Sequence, residues 1–216
     1  MLMSTVERRQ EEKEQRRNDI VDAAEVVFAR KGVEKATMAD VAKEARLSRG
    51  LIYFYFKDKD DLYLAIMLRA TRALRETFEE AVNAQNTGYD KILAIGHAYV
   101  AFSKTKHNYF HALTDFESRI IDFENPISSE ADCLLEGNLV LQMMAEAIAE
   151  GMQDGSIRQD LGDPMKAAIC LWGFSHGVIQ IAAKKHEMFK HMFQLDPDEL
   201  MKQAFSMMER SLSNES

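Results

Sequence analysis

An all-α fold is what the sequence predicts, and three observations predict it. Apolar residues recur at helical spacing through nearly the whole chain, and cap-forming residues stand at the starts of those runs. Only three prolines and ten glycines interrupt 216 residues. β-Branched runs are few, while methionine, at 13, and alanine are plentiful. A hydrophobic share of 46% is enough to fill a sizeable core.

The elements follow in order. Over residues 10–31, Ile20, Ala23, Ala24, Val27 and Phe28 share one face, and Gly32 follows as a C-cap. Thr37-Met38-Ala39-Asp40 reads as a capping box, a hydroxyl with a carboxylate three residues on. Met38, Val41, Ala42 and Ala45 then fall at i, i+3, i+4 and i+7, which predicts a short helix over 37–45. Arg46-Leu47-Ser48 is a three-residue break, and Ser48 can cap a second short helix over 49–56. Asp58 and Asp61 are spaced as another cap, opening a long helix whose stripe includes Leu62, Ile66, Ala70, Ala73 and Thr77. After the Thr87-Gly88 turn come Ile92, Ile95, Tyr99 and Phe102, then an aromatic-rich helix over about 108–118. Asn125-Pro126 and Ser128-Ser129 mark a loop before a long helix over about 129–153, which Gly155 ends. Asp163-Pro164 starts another, running to about 185, and Asp196-Pro197 starts the last. That makes nine or ten helices, with no convincing strand, repeat or low-complexity linker.

One run resists easy placement. Leu51-Ile52-Tyr53-Phe54-Tyr55-Phe56 has the composition of a strand. A strand would need a partner, and nothing else in the chain offers one. As a helix it splits by face: Leu47, Ile52 and Phe56 turn toward Val27, Phe28 and Val41. Arg49, Gly50, Tyr53 and, in part, Phe54 and Tyr55 turn outward.

Charge is unevenly spread. Residues 1–60 carry 13 basic and 12 acidic side chains, and the remaining 156 carry 14 and 23, for a net −8. Only the N-terminal quarter is suited to meet a polyanion. No run reaches the ~18–20 apolar residues of a membrane span, and Met1-Leu2-Met3 leads into charge rather than an apolar signal region. These features, with two distant cysteines, Cys133 and Cys170, predict a reduced cytoplasmic protein with no membrane partner. No nucleophile elbow or phosphate loop is present, so no enzyme and no cofactor are expected. His107, His111 and Asp115 lie at i, i+4 and i+8, a row that can hold a transition metal or simply form a polar helix face. The expectation is the polar face, with no metal.

Three short helices with a tight break between the second and third make a helix-turn-helix. Outward aromatic rings beside Arg49, Lys57 and Lys59 suit a duplex: arginine reaches guanine edges, tyrosine hydroxyls bond phosphates and apolar rings touch thymine methyls. Gly50 allows close backbone approach. The alternative is a helical small-molecule-binding protein without DNA activity, its aromatics being mere surface and core.

The stretch TMADVAKEA over 37–45, then LSRGLIYFYFKDK over 47–59 and Leu62, resembles the TetR family of transcriptional regulators. The match covers residues 15–64, and its pattern is roughly T-x-x-x-I-A-x-x-A-G-V-S-x-G-x-L-Y-x-x-F-x-x-K-x-x-L. The resemblance implies a DNA-binding domain over residues 1–60 and a helical effector-binding and dimerisation domain over 61–216. It implies a homodimeric, ligand-responsive regulator, usually a repressor, with an operator duplex and a small-molecule effector as partners. By it, Thr37 bonds a phosphate, Arg49, Gly50 and Leu51 face base edges, Tyr53 and Tyr55 contact backbone or bases, and Lys59 holds a phosphate. One departure stands out: the turn glycine of the pattern is Arg46 here. Either Arg46 adopts a left-handed turn at a cost of about 1 kcal/mol, or the turn differs.

In the C-terminal half, Gly173 and Gly177 sit four apart in mid-helix, each less favourable than alanine by about 0.8–1 kcal/mol. Close helix approach in a dimer explains them, with Leu139, Met143 and Ile148 as further interface candidates; room for a bulky neighbour within the subunit is the alternative. Met67, Tyr99, Phe102, Phe110, Phe116, Trp172 and His176 are candidates to line a pocket for an apolar or aromatic effector, or else plain core.

Overall fold

In a computed structural model residues 5–121, 124 and 128–214 are described, and most of these are helical. Among the described residues ten α-helices run in order: α1 (Thr5–Lys31), α2 (Met38–Glu44), α3 (Arg49–Tyr55), α4 (Lys59–Asn83), α5 (Gly88–Thr105), α6 (His107–Glu117), α7 (Ser128–Asp154), α8 (Pro164–Lys184), α9 (His186–Phe193) and α10 (Pro197–Leu212). A 3-10 turn, Gln159–Leu161, separates α7 from α8. The run 51–56 is helical up to Tyr55, as the facial reading predicts. α9 went unmarked in the sequence, although Met188, Phe189, Met192 and Phe193 fall at i, i+1, i+4 and i+5. Asn125-Pro126 and Met1-Leu2-Met3 lie outside the described residues.

The caps form as their spacing demands. The Thr37 hydroxyl accepts the Asp40 N–H at 3.2 Å while the Asp40 carboxylate accepts the Thr37 N–H at 3.1 Å. Ser48 accepts the Leu51 N–H at 3.2 Å. Asp58 accepts from the Asp61 N–H at 2.9 Å, and Asp61 from the Lys57 N–H at 3.1 Å, so two carboxylates bond the backbone at the start of α4. Thr87, Asp163 and Asp196 cap α5, α8 and α10 in turn. Gly32 and Gly155 take positive φ after α1 and α7.

Two compact units emerge, one containing residues up to Ala70 with His111–Cys133, the other Thr71–Phe110 with Leu134–Ser216. Compactness thus divides the chain differently from a boundary at 60/61: residues 61–70 and 111–133 belong with the first unit.

In the first unit Ile20, Val21, Ala24, Val27, Phe28, Met38, Val41, Ala42, Ile52, Phe56 and Leu62 are buried. The Arg17 guanidinium sits 4.9 Å over the Phe56 ring. The ends of α6 and α7 are bonded to the start of α4. Arg119 donates twice to Asp60, at 2.8 and 2.7 Å, Tyr63 donates to Asp115 at 3.1 Å, and Ser129 to Asp61 at 2.8 Å. Arg69 of α4 reaches back to Asp22 and Glu25 of α1 at 2.5 and 2.9 Å.

In the second unit α5, α8 and α10 pack together, burying Ile92, Ile95, Tyr99, Ala168, Ile179, Met201, Phe205 and Leu212. The start of α5 meets α7 with almost no clearance. A Cβ on Gly88 would stand 2.0 Å from the Gly151 nitrogen and 2.4 Å from the Ala147 carbonyl oxygen. Both obstacles are backbone and cannot rotate away. Ile148, expected at the dimer interface, is fully buried in this subunit's own core, and its side chain offers no surface to a second copy.

The crowding at Gly88 predicts that Gly88→Ala lowers unfolding free energy by about 3 kcal/mol, the upper end for overpacking. Urea denaturation checks this; a change below about 0.5 kcal/mol would show that α5 and α7 separate freely.

Candidate functional site

The helix-turn-helix is built by a turn that sequence reading left open. Arg46 has φ +56°, in the left-handed region. The Leu47 N–H bonds the Ala42 carbonyl at 2.9 Å and the Arg46 N–H the Lys43 carbonyl at 3.2 Å, a Schellman closure of α2 with arginine where glycine is favoured. Its exposed side chain points away from the core. From this turn Ser48 starts α3, and the facial split predicted for it holds with one adjustment. Ile52 and Phe56 are buried at 0% and 1%, but Leu47 is only half-buried.

The outward face of α3 carries Arg49 and Gly50, both exposed, Tyr53 at 54% and Phe54 at 70% exposure. Leu51 and Tyr55 are half-buried at its flanks. Phe54 packs edge-on against Tyr55, ring centroids 5.2 Å apart, so the two rings steady one another without a core around them. No atom lies within 4 Å of where a Gly50 Cβ would stand. Large apolar rings held in water beside an arginine form a surface shaped for an outside partner.

The two residues expected to hold phosphates are engaged inside the protein. The Thr37 hydroxyl, exposed at the start of α2, is the cap acceptor and also donates to Asp40 at 2.8 Å. The Lys59 ammonium donates to the Val33 and Glu34 carbonyls at 2.7 and 3.1 Å. Lys59 therefore braces the α1–α2 loop against α4, which leaves at most one of its three N–H bonds for a phosphate. Sequence spacing gave no hint of this brace, because its partners lie 25 and 26 residues away.

Asp40 ties the same corner. Its carboxylate accepts from Lys31 at 2.6 Å and from Thr37, and these bonds hold its pKa at about 2. On the other side of the unit, burial pushes the Tyr63 phenol well above its ordinary value, and Asp115 beside it adds to the rise. Asp115 also lies 3.9 Å from His111 on the same helix. Among the described residues no three His, Cys, Asp or Glu side chains converge on a point that could hold a metal.

Of the seven pocket candidates, the second unit brings four together. His176 is buried at 6% with its ring centroid 5.3 Å from Phe110, 6.1 Å from Tyr99 and 6.2 Å from Trp172. Phe78, which sequence reading did not single out, joins edge-on to Tyr99 at 5.9 Å. A polar relay runs through this cluster. Lys184 donates to the Gln180 carbonyl at 2.9 Å, so the Gln180 amide faces His176 Nε2, and His176 Nδ1 lies 2.5 Å from the Tyr99 hydroxyl. Phe102 is buried in the same unit. Met67 and Phe116 belong to the first unit, buried and half-buried there.

Of the interface candidates, Leu139 is 39% exposed and Met143 half-buried. No atom lies within 4 Å of a Cβ built on Gly173 or Gly177. A bulky neighbour within the subunit therefore does not account for either glycine. They fall in one row of α8 with the exposed Ile169 and Ile181, spaced four apart.

Comparison with known proteins agrees with this geometry. The family described as bacterial regulatory proteins, tetR family, matches residues 20–66, and the tetracyclin repressor-like C-terminal domain matches residues 92–208. The fatty acid metabolism regulator protein of Bacillus subtilis (strain 168) is 27% identical over 142 residues, 66% of this chain and 71% of the relative. Among solved structures, the transcriptional regulator FadR from Bacillus subtilis in complex with stearoyl-CoA superposes with a TM-score of 0.69 at 21% identity, over 89% of this chain and 97% of that one. AibR in complex with isovaleryl coenzyme A and operator DNA superposes with a TM-score of 0.65 at 16% identity, over 89% and 97%.

The Asp40 bonds give a pH test. A folded pKa held below the ordinary 3.8 contributes stability that is complete above that value and is lost as pH falls toward about 2. Asp40→Asn is expected to lower the melting temperature at pH 7, with the gap to the parent closing between about pH 4 and pH 2. A gap independent of pH would show that the carboxylate charge is not what stabilises the corner.

Proposed function

The chain belongs to the TetR family of bacterial regulatory proteins, and from that premise we propose that it is a repressor that binds a roughly palindromic operator as a homodimer and leaves it when an apolar effector binds. The carrying observation is the exposed face of α3, with Arg49, Gly50, Tyr53 and Phe54 set in water on a rigidly capped helix. In this reading Arg49 bonds a guanine edge, Tyr53 and Tyr55 contact bases or phosphates, and Leu51 lies against the groove wall. Gly50 lets the backbone come close. Thr37 and Lys59 present the ends of α2 and α4 to phosphates, and their main work is to hold α3 at its angle. The division of labour runs from residues 1–60, which read DNA, to residues 61–216, which bind effector and pair. A DNA reader of this kind works in the bacterial cytoplasm; among the described residues no helix is long and apolar enough to cross a membrane.

The dimer surface we assign to the open row of α8, Ile169, Gly173, Gly177 and Ile181, with Leu139 and Met143 of α7 as further members. Glycines let two such helices approach closely, and the flanking isoleucines supply apolar area. A palindromic operator calls for two copies of α3 in successive major grooves about 34–36 Å apart.

The effector cluster is Tyr99, Phe102, Phe110, Trp172 and His176. Its walls are aromatic, and the His176–Tyr99 pair supplies polar atoms that can orient a carbonyl. The two solved relatives with coenzyme A thioesters support an acyl thioester as the class of effector.

Two outcomes are expected. Duplexes selected from a random library will bind with a steep negative salt slope. Tyr53→Ala will weaken binding by about one to two orders of magnitude, the scale of about 1–3 kcal/mol per lost contact, without moving the melting temperature. Lys59→Ala will lower both, because it also releases the α1–α2 loop. A slope near zero points instead to a ligand-binding protein without DNA activity, and half-sites that bind as tightly as full palindromes exclude the dimeric reading. For the effector, stearoyl-CoA and isovaleryl-CoA will be titrated; at a concentration of 100 Kd the bound form gains about 2.7 kcal/mol, visible as a higher melting temperature, and the operator is released. His176→Phe is expected to remove that response. If neither thioester changes melting temperature or operator affinity, the acyl thioester assignment fails.

A further inference from the structure

The basic residues at the start of α1 have no task in the helix-turn-helix, yet they are arranged with care. Arg9, Lys13, Arg16 and Arg17 fall at i, i+4, i+7 and i+8, one face of the helix. The same face continues through Ile20, Ala24, Val27 and Phe28, which are buried in the first unit. Glu7, Glu11 and Glu14 occupy the opposite face. The helix therefore keeps one inward face along its length, apolar where the unit lies beneath it and basic where the helix runs on past.

Residues 6–16 are all exposed. Arg9 and Lys13 have no hydrogen bond or ion pair among the described residues, and Arg16 has only a 3.5 Å pairing with Asp19 three residues on. Arg8, off this face, pairs with Glu12 at 3.3 Å. Arg17 marks where the face leads: its guanidinium lies on the ring of Phe56, the residue that closes α3. The basic stripe is thus continuous with the end of the recognition helix. In a chain of net charge −8, four cations gathered on one face, with Glu7, Glu11 and Glu14 on the other and Glu12 at its edge paired to Arg8, match a polyanion.

We propose that the N-terminal extension of α1 is a second DNA-binding element, whose Arg9, Lys13 and Arg16 contact backbone phosphates flanking the base pairs read by α3. This rests on the DNA-binding reading above and enlarges it. Residues 9–16 span about 10 Å at ~1.5 Å per residue, enough to follow a strand for about three nucleotides at ~3.4 Å each. The contacts lengthen the protected duplex without adding base specificity. Arg17 serves as the hinge of the stripe on Phe56.

The test uses the full chain, the duplex it selects from a random library, and the triple variant Arg9→Gln, Lys13→Gln, Arg16→Gln, whose exposed positions leave the core untouched. The variant is expected to melt with the parent and to select the same central motif. Each lost phosphate contact removes about 0.9 from the slope of log K against log salt, so the slope becomes shallower by about 2–3 per subunit. Affinity at moderate salt falls ten-fold or more, and hydroxyl-radical protection shortens by about three nucleotides at each end. The companion Glu7→Gln, Glu11→Gln, Glu14→Gln variant should change neither slope nor protected length. An unchanged slope and protected length in the Arg9/Lys13/Arg16 variant, with the parent still binding the duplex, overturns the proposal and leaves the role of α3 standing. Loss of binding to anionic vesicles without loss of operator affinity overturns it in favour of a lipid surface. A parent chain that selects no duplex overturns both readings together.

Discussion

The first turn of α4 is where the orientation of the recognition helix is decided. On one side the Asp58–Asp61 cap bonds the Lys57 and Asp61 N–H groups, and Lys59 holds the Val33 and Glu34 carbonyls. On the other side Asp60 and Asp61 accept from Arg119 and Ser129. Successive residues of one helical turn thus hold the loop before α2, the end of α3, and the ends of α6 and α7. Half-exposed ion pairs of this kind are each worth about 0.2–1 kcal/mol, so together they set position far more than stability. Burial of Ile20, Val27, Val41, Ile52 and Phe56 supplies the stability, and the polar turn selects the angle.

Within the first unit Arg119 and Ser129 bond the same turn that fixes α3. The partners are charged and directional, so small shifts break or remake them. An apolar contact would instead slide. Arg69, bonded to α1 further along α4, keeps the rest of that helix aligned with the bundle while its first turn is loaded.

The chain resolves its charge by location. The acidic excess lies beyond residue 60, and within α1 Arg9, Lys13, Arg16 and Arg17 share one face. Bulk charge alone argues against a polyanion partner; only when the charges are mapped onto faces does a surface for DNA emerge. The same mapping separates the glycines. Gly173 and Gly177 line an open face of α8, whereas Gly88 and Gly151 sit where two helix backbones touch.

By itself the sequence determined the helices, their caps and the outward face of α3, because each depends on residues within about four positions of one another. Thr37 with Asp40, Ser48 with Leu51 and Asp58 with Asp61 were legible for that reason, as was the buried pair Ile52 and Phe56. Tertiary structure alone decided that Arg46 turns left-handed and that Ile148 faces inward. It alone decided that Lys59 braces a loop, that Arg119 clamps Asp60 across 59 residues, and that His176 joins Tyr99 across 77. Such pairs leave no periodic trace, since their meeting depends on how separate helices pack rather than on the path of the chain between them.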